Sequence, residues 1–268
     1  MTVVGEAQVG TLLREWRERR GVSQLELALR ADSSARHISF VETGRSRPSR
    51  EMVLRLAEQL DVPVRERNAL LLAAGYAPHY RETPLDDPAL AGVRQAMERL
   101  LAAHEPYPAM VVDGTYGVVA ANRGILMLMD GLPEHLLVPP LNAMRLTLHP
   151  EGLAPRIRNL AQWRGHLLAQ MDRQLSLVRS PALRELYEEV AAYPPPAGHV
   201  EEAVGESAAA HAPFALPLVV EYDGHRLSFV STIATFNTPM DVTVSELALE
   251  TLLPADPETV TYLSLLRP

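Results

Sequence analysis

Apolar and polar positions in the first 75 residues follow helical spacing and predict five short helices. The first runs from about Val9 to Arg20, the third spans Ser34–Thr43 and the fifth spans Arg65–Ala74. Ser23 and Glu26 form a capping box at the start of the second helix, and Pro48-Ser49 begins the fourth. The spacing gives the second helix an apolar face that consists of Leu25, Ala28 and Leu29.

Beyond Pro78 the pattern mixes β-branched runs with longer helical stretches, which predicts an α/β domain with an antiparallel sheet. Hairpins are expected around Asp113-Gly114 and around Asp223-Gly224. The second hairpin joins strands at Leu216–Tyr222 and Arg226–Phe236, and a short strand is expected at Val242–Thr243. Residues 197–213 lack periodicity and are expected to form a mobile loop. The predicted helices lie at about 88–104, Arg123–Met129, Leu153–Leu177, Pro181–Ala192 and Pro257–Leu266.

Charge is divided unequally along the chain, which carries a net −8 over 268 residues. Residues 1–81 hold 13 arginines against 10 acidic residues, a net +3, whereas residues 82–268 carry a net −11. This asymmetry favours a regulator with a basic nucleic-acid module over a protein that coats nucleic acid. We therefore predict two domains, at residues 1–81 and 105–268, joined by a linker and connecting helix at residues 82–104.

Several classes of protein are disfavoured by what the sequence lacks. Without cysteine there is no disulfide, thiolate metal site or cysteine nucleophile. No common catalytic or nucleotide-binding motif occurs and the nine histidines are scattered, so we expect neither an enzyme nor a metal or cofactor. No apolar run approaches the ~18 residues of a membrane span, and the N-terminus does not resemble a signal peptide. A cytoplasmic protein with no membrane partner is expected.

A set of residues within positions 9–80 carries a family resemblance. The set consists of Gln24, Ala28, Ile38, Glu42 and Gly44, followed by Pro48-Ser49 and Leu56-Ala57. It resembles the lambda-repressor-like, xenobiotic-response-element-type helix-turn-helix family. The resemblance implies a sequence-specific DNA-binding module of five helices with Ser34–Thr43 as the recognition helix, and a structural pair between Arg17 and Glu42. The alternative is a five-helix module that contacts protein instead of DNA.

Candidates for DNA contact cluster at the start of the recognition helix. Arg36 can bind guanine O6 and N7 with both arms of its guanidinium, and Ala35 can pack on a thymine methyl group. Phe40, one turn later, either touches a thymine methyl group or packs within the protein. The remaining candidates suit phosphate contacts or helix capping and are Gln24, Ser34, His37, Arg45 and Arg47. One module makes few contacts, so we expect a homodimer on an inverted repeat in double-stranded DNA.

The rest of the chain resembles a second family. The matching stretches are Pro108–Asp113, Ala121–Arg123, Leu148–Pro150 and Ser231–Pro239, preceded by Leu70–Tyr76 with Pro78 and Tyr80. They are similar to a subgroup in which an MmyB-like ligand-binding domain follows the helix-turn-helix module. The resemblance implies a PAS-like sensor fold over residues 105–266 and suggests fatty acids as a ligand class.

A sheet with helices on one side can enclose an apolar cavity for a small amphipathic ligand. The apolar candidates to line it are Met127, Leu128, Met144, Leu146, Trp163, Leu167, Met171, Phe229 and Phe236. Arg145 and Arg164 are candidates to bind a carboxylate head group, because a guanidinium fork matches a carboxylate. The same apolar residues could instead form a filled core. In that case the second domain would serve only dimerisation or contacts with partner proteins.

Overall fold

The computed structural model describes residues 9–198, 215–237 and 239–265, and the chain forms two compact units. The first unit comprises residues 1–83 and 238–245, and the second comprises residues 84–237 and 246–268. Residues 199–213 of the predicted mobile loop lie outside the described residues.

The first unit contains the five predicted helices. They are α1 (Val9–Arg19), α2 (Gln24–Arg30), α3 (Ala35–Glu42), α4 (Arg50–Gln59) and α5 (Val64–Ala73). Three of them begin after a serine whose hydroxyl oxygen accepts a hydrogen bond from a backbone N–H in the first turn, at 3.1, 3.1 and 3.2 Å for Ser23, Ser34 and Ser49. The caps read from the sequence therefore fix where α2, α3 and α4 start.

The core of the first unit holds α1 closely against α3. A Cβ atom at Gly10 would lie 2.3 Å from the Val41 backbone oxygen, so this approach requires glycine. The face predicted for α2 is partly wrong. Its Ala28 is buried, but Leu25 and Leu29 are 62% and 75% exposed, and Leu27 is buried in their place. Four apolar residues crowd this seven-residue helix, so its own spacing does not decide which side meets the core.

A short segment from near the end of the chain completes the first unit. The backbone N–H of Val242 donates to the carbonyl oxygen of Arg81 at 2.7 Å, and the Thr83 hydroxyl donates to Asp241 Oδ2 at 2.6 Å. The strand predicted at Val242–Thr243 is wrong, because the segment forms the helix α11 (Val242–Ser245). Asp241 Oδ1 accepts a hydrogen bond from the Thr243 backbone N–H at 2.9 Å, which favours a helical turn over an extended strand.

The second unit is built on a five-stranded sheet in which all neighbouring strands are antiparallel, in the order β2-β1-β5-β4-β3. Both predicted hairpins are present, and Asp223 and Gly224 turn the second with φ of 50° and 73°. The strands are β1 (Ala109–Val112), β2 (Val118–Ala121), β3 (Leu218–Tyr222), β4 (His225–Thr235) and β5 (Ala248–Pro254). The predicted α/β class with an antiparallel sheet is confirmed.

The central strand, β5, is absent from the sequence-based prediction. Its residue Glu250 stands opposite Met110 of β1 on one side and opposite Ile233 of β4 on the other. The sequence of β5, Ala-Leu-Glu-Thr-Leu-Leu-Pro, is poor in β-branched residues, so local propensity gives little sign of a strand. Pairing on both edges satisfies its backbone groups and outweighs that weak local preference.

Helices pack against both faces of this sheet, although the sequence analysis expected them on one. The outer face meets α6 (Ala91–Ala103) through a small cluster that includes Met97 and Val111. The inner face meets α7 (Arg123–Met129), α8 (Ala143–Leu148), α9 (Leu160–Leu177) and α10 (Pro181–Ala191), while α12 (Pro257–Leu265) follows the last strand. No helix among the described residues is long and apolar enough to cross a membrane.

The helix α9 begins later than the sequence predicts. The expected start is Leu153, but the helix starts at Leu160. The side chain of Asn159 is turned toward β3, where its Nδ2 donates to the Pro217 carbonyl oxygen at 2.8 Å and its Oδ1 accepts from the Val219 N–H at 3.1 Å. These long-range bonds hold the chain in a non-helical conformation immediately before α9.

Candidate functional site

On the surface of α3 and of the residues that follow it, an aromatic ring lies beside two arginines. Arg36 and Arg45 are exposed, and their guanidinium carbons lie 5.2 and 5.9 Å from the centre of the Phe40 ring. The ring face attracts cations through its quadrupole, so Phe40 restricts where both guanidinium groups can lie. The sequence left Phe40 open between a base contact and packing, and its ring packs against these two cations.

Beneath this surface a buried carboxylate connects three helices. Glu42, at the end of α3, accepts hydrogen bonds from Arg17 Nε at 2.6 Å, from Arg17 Nη2 at 3.0 Å and from Gln24 Nε2 at 2.8 Å. Arg17 also donates to the Val22 carbonyl oxygen at 2.9 Å, and its hydrogen bond with Glu42 raises the pKa of its guanidinium. The Arg17–Glu42 pair that the family resemblance implies is confirmed.

The other candidates for DNA contact differ in how their side chains are used. Gln24 reaches inward to Glu42, and Arg47 donates to the Ala74 carbonyl oxygen at 2.8 Å. Ser34 caps α3, and Ala35 and His37 occupy the first turn of that helix on either side of Arg36. DNA contact by the residues of this set stays a prediction.

The second unit contains a partly open apolar cavity of about 70 Å³ between the inner face of its sheet and the covering helices. The sheet and the segment before α9 contribute Met110, Val118, Leu218, Val220, Glu250, Leu252, Leu153 and Ile157. The helices α7, α8 and α9 contribute Ile125, Leu128, Met129, Ala143, Met144, Leu146, Thr147, Trp163 and Leu167. Three methionines in this wall can change rotamer at little cost, so the cavity can adapt its shape.

Five of the eleven ligand-binding candidates line this cavity, namely Leu128, Met144, Leu146, Trp163 and Leu167. Four other apolar candidates lie elsewhere. Met171 and Phe229 are fully buried in the surrounding core, and Met127 is half-buried against it. Phe236 belongs to the cluster on the outer face of the sheet, because it follows β4 on the side that faces α6. Helical spacing identifies the residues that face the core but does not separate cavity wall from filled core.

The two arginine candidates also lie outside the cavity wall. Arg145 pairs with Glu189 of α10 at 2.7 Å, and this hydrogen bond lowers the pKa of the glutamate. Arg164 donates to the carbonyl oxygens of Ala191 and Tyr193 at 2.7 and 2.8 Å, where it caps the C-terminal end of α10. Both guanidinium groups therefore bind α10, and neither is positioned to receive a ligand carboxylate in this cavity.

Among the described residues, Glu250 is the one ionisable residue in the cavity wall, and the sequence analysis missed it. Its Oε1 accepts a hydrogen bond from the Ser231 hydroxyl at 2.9 Å across the β4–β5 ladder. Burial raises the pKa of this carboxyl, and the Ser231 hydrogen bond opposes that rise. The available signal was the alternation Ala248, Glu250, Leu252, which places a carboxyl on an otherwise apolar strand face.

No group of three histidine or acidic side chains that could hold a metal ion occurs within the described ranges.

Two family models match the chain, one over each unit. Residues 13–67 match the model described as helix-turn-helix, and residues 93–266 match the MmyB-like transcription regulator ligand binding domain. No curated protein matches the chain. The first match begins within α1 and ends within α5. The second begins within α6 and spans the sheet, the other covering helices, the cavity and α11 of the first unit.

Proposed function

Since this chain belongs to the family of MmyB-like transcription regulators, we propose that its cavity binds a small amphipathic molecule that controls DNA binding. The helix-turn-helix module and the ligand-binding domain make the protein a DNA-binding transcription regulator with a ligand-sensing domain. The observation that carries the proposal is the almost entirely apolar cavity, whose one ionisable lining residue in the described part of the chain is Glu250. An apolar chain with a single polar end matches that lining.

For DNA recognition we assign base reading to the first turn of α3. Arg36 is exposed there, and the Phe40 ring lies 5.2 Å from its guanidinium. Preorganisation of a long side chain lowers the entropy lost on binding. Arg45 and His37 flank this position and suit phosphate contacts, and the backbone N–H groups at the start of α2 suit a further phosphate.

Replacement of Arg36 by alanine should weaken binding to the selected DNA site and relax the preference at one base position. A bidentate arginine–guanine contact contributes about 1–3 kcal/mol of discrimination, which corresponds to a loss of roughly 5- to 150-fold at that position. The measurement is in vitro selection of a binding site followed by titration with single-base variants. The control is Arg14→Ala, because Arg14 is an exposed arginine of α1 paired with Glu18 at 2.8 Å. An unchanged base preference in Arg36→Ala would remove Arg36 as a reader.

For the sensing domain, fatty acids are the ligand class that the family resemblance suggests. The cavity of about 70 Å³ is smaller than the ~300 Å³ of a small ligand pocket, so we propose that ligand entry repacks the lining methionines. Helices over a sheet face support the PAS-like description proposed for this domain. We propose that occupancy changes the spacing or pairing of two DNA modules in a homodimer bound to an inverted repeat in the cytoplasm.

Mass spectrometry of an organic extract of the purified full-length protein tests the sensor proposal. We expect one amphipathic compound with a single alkyl chain at near-stoichiometric amount, and none in an extract of an unrelated protein purified in parallel. The second candidate function is a domain that serves only dimerisation or protein contacts. An extract without any enriched compound, together with no response to added amphiphiles, would favour that candidate.

A further inference from the structure

We propose that Glu250 selects the polar end of the ligand, and that the cavity favours an alkyl chain ending in a neutral hydroxyl over one ending in an ionised carboxylate. This inference rests on the proposed sensing function and specifies the chemistry of the same cavity. The carboxyl of Glu250 stands on the inner face of β5, between Ala248 and Leu252, among lining residues that are otherwise apolar or, in Thr147, a hydroxyl.

The hydrogen bond that the Glu250 carboxyl already accepts leaves one of its oxygens for a ligand. Oε1 is already occupied by the hydroxyl of Ser231 at 2.9 Å. Oε2 retains its acceptor capacity and is the remaining polar atom of the Glu250 side chain. A ligand hydroxyl can donate to this oxygen without bringing a second charge into the cavity.

Among the described residues that line the cavity, none is an arginine or histidine that would receive a carboxylate. The neighbours of Glu250 in the ladder are Met110 on β1 and Ile233 and Ser231 on β4. Burial raises the pKa of the Tyr116 phenol in the β1–β2 connection, and the negative charge of Glu250 adds to that rise. The positive charge of Arg173 on α9 opposes the rise in the pKa of the same phenol, and Arg173 is not among the residues that line the cavity.

An ionised carboxylate ligand would meet repulsion at this position. Two carboxylates that share a low-dielectric site cannot both stay ionised, so one must take up a proton when the ligand binds. Burial already raises the pKa of Glu250, so its surroundings disfavour added negative charge. A fatty acid fits the same contact as the un-ionised acid, whose O–H donates as an alcohol does.

The test compares 1-octanol with octanoate at pH 8 on the full-length protein, using isothermal titration calorimetry. Any apolar cavity favours a neutral end, so the informative quantity is how the octanol-to-octanoate affinity ratio changes on substitution. In Glu250→Gln the amide can donate to a carboxylate and carries no charge. We expect the ratio to fall about tenfold or more in this variant, consistent with a charged hydrogen-bonding group. Glu188→Gln, an exposed change on α10, should keep the wild-type ratio.

The outcomes separate this inference from the sensing function. If octanol and octanoate both bind and Glu250→Gln leaves the ratio of their affinities unchanged, Glu250 does not select the polar end. The inference then fails, but the proposed sensing function does not. If octanoate binds the wild-type protein more tightly than octanol, the inference is overturned without any variant. If neither compound binds and no compound is extracted from the native protein, the sensing function fails together with the inference.

Discussion

Glu42→Ala is expected to destabilise the first unit by about 3–5 kcal/mol, because it removes the buried carboxylate that accepts two hydrogen bonds from the Arg17 guanidinium. The Glu42 side chain is 3% exposed and that of Arg17 is 11% exposed, so water cannot replace the lost hydrogen bonds. A loss of this size lowers the melting temperature of a domain of 60–100 residues by more than about 10 °C. DNA binding should be lost in parallel, since Glu42 also holds Gln24 at the start of α2. Thermal unfolding followed by circular dichroism measures the change.

A second variant separates the contribution of charge to stability from the contribution of packing in the Arg17–Glu42 pair. Arg17→Met combined with Glu42→Leu removes both charges and fills similar volume, and it should recover most of the lost stability. Glu82→Ala serves as the surface control, because Glu82 pairs with Arg65 at 2.7 Å, both side chains are exposed, and its loss should leave the melting temperature unchanged. If Glu42→Ala melts like the wild-type protein, the pair does not hold the three helices together.

Trp163→Ala is expected to cost about 3–5 kcal/mol in the second unit and to enlarge the cavity at the same time. Trp163 is 3% exposed and lines the cavity from α9, so the removed ring leaves space that the neighbouring side chains fill incompletely. An enlarged apolar cavity binds small apolar molecules, and binding to the folded state raises its stability. We therefore expect added 1-octanol to raise the melting temperature of Trp163→Ala more than that of the wild-type protein.

The control for this stabilisation by octanol is Leu183→Ala on α10. Leu183 is fully buried in the same core but lies outside the cavity wall, so its replacement should destabilise the protein without extending the cavity. Octanol should stabilise this variant no more than it stabilises the wild-type protein. Equal rescue of both variants would show that octanol binds wherever the core is loosened, and the cavity would then have no special role.

The elements that the sequence predicts well are those fixed by local hydrogen bonds. Ser23, Ser34 and Ser49 cap α2, α3 and α4 as expected, and Asp223-Gly224 forms the predicted turn. The central strand β5 was missed because its residues have no strong preference for a strand, and its conformation depends on pairing with β1 and β4. Long-range pairing of that kind leaves little trace in a local pattern.

The candidate sites show the same difference between features set by local sequence and features set by long-range packing. The Arg17–Glu42 pair follows from a motif of fixed spacing, and the structure contains it. The cavity wall draws on residues from three helices and four strands, so helical spacing identifies apolar faces but cannot show where the packing leaves space. Arg145 and Arg164 are the sequence-based candidates for a carboxylate head group, because a guanidinium fork matches a carboxylate, yet both side chains bind α10. Glu250 lies on the missed strand and was missed with it.

The backbone passes between the two units near residues 83, 237 and 245, so the first unit takes its last piece from late in the chain. A ribosome makes residues 1–83 early, but the segment around Asp241 that bonds to Arg81 and Thr83 leaves the tunnel only after four of the five strands of the second unit. N-terminal domains usually finish folding first during synthesis. Here a nascent or prematurely terminated chain carries an incomplete first unit. The order of synthesis thus delays completion of the DNA-binding unit until nearly the whole ligand-binding domain has been made.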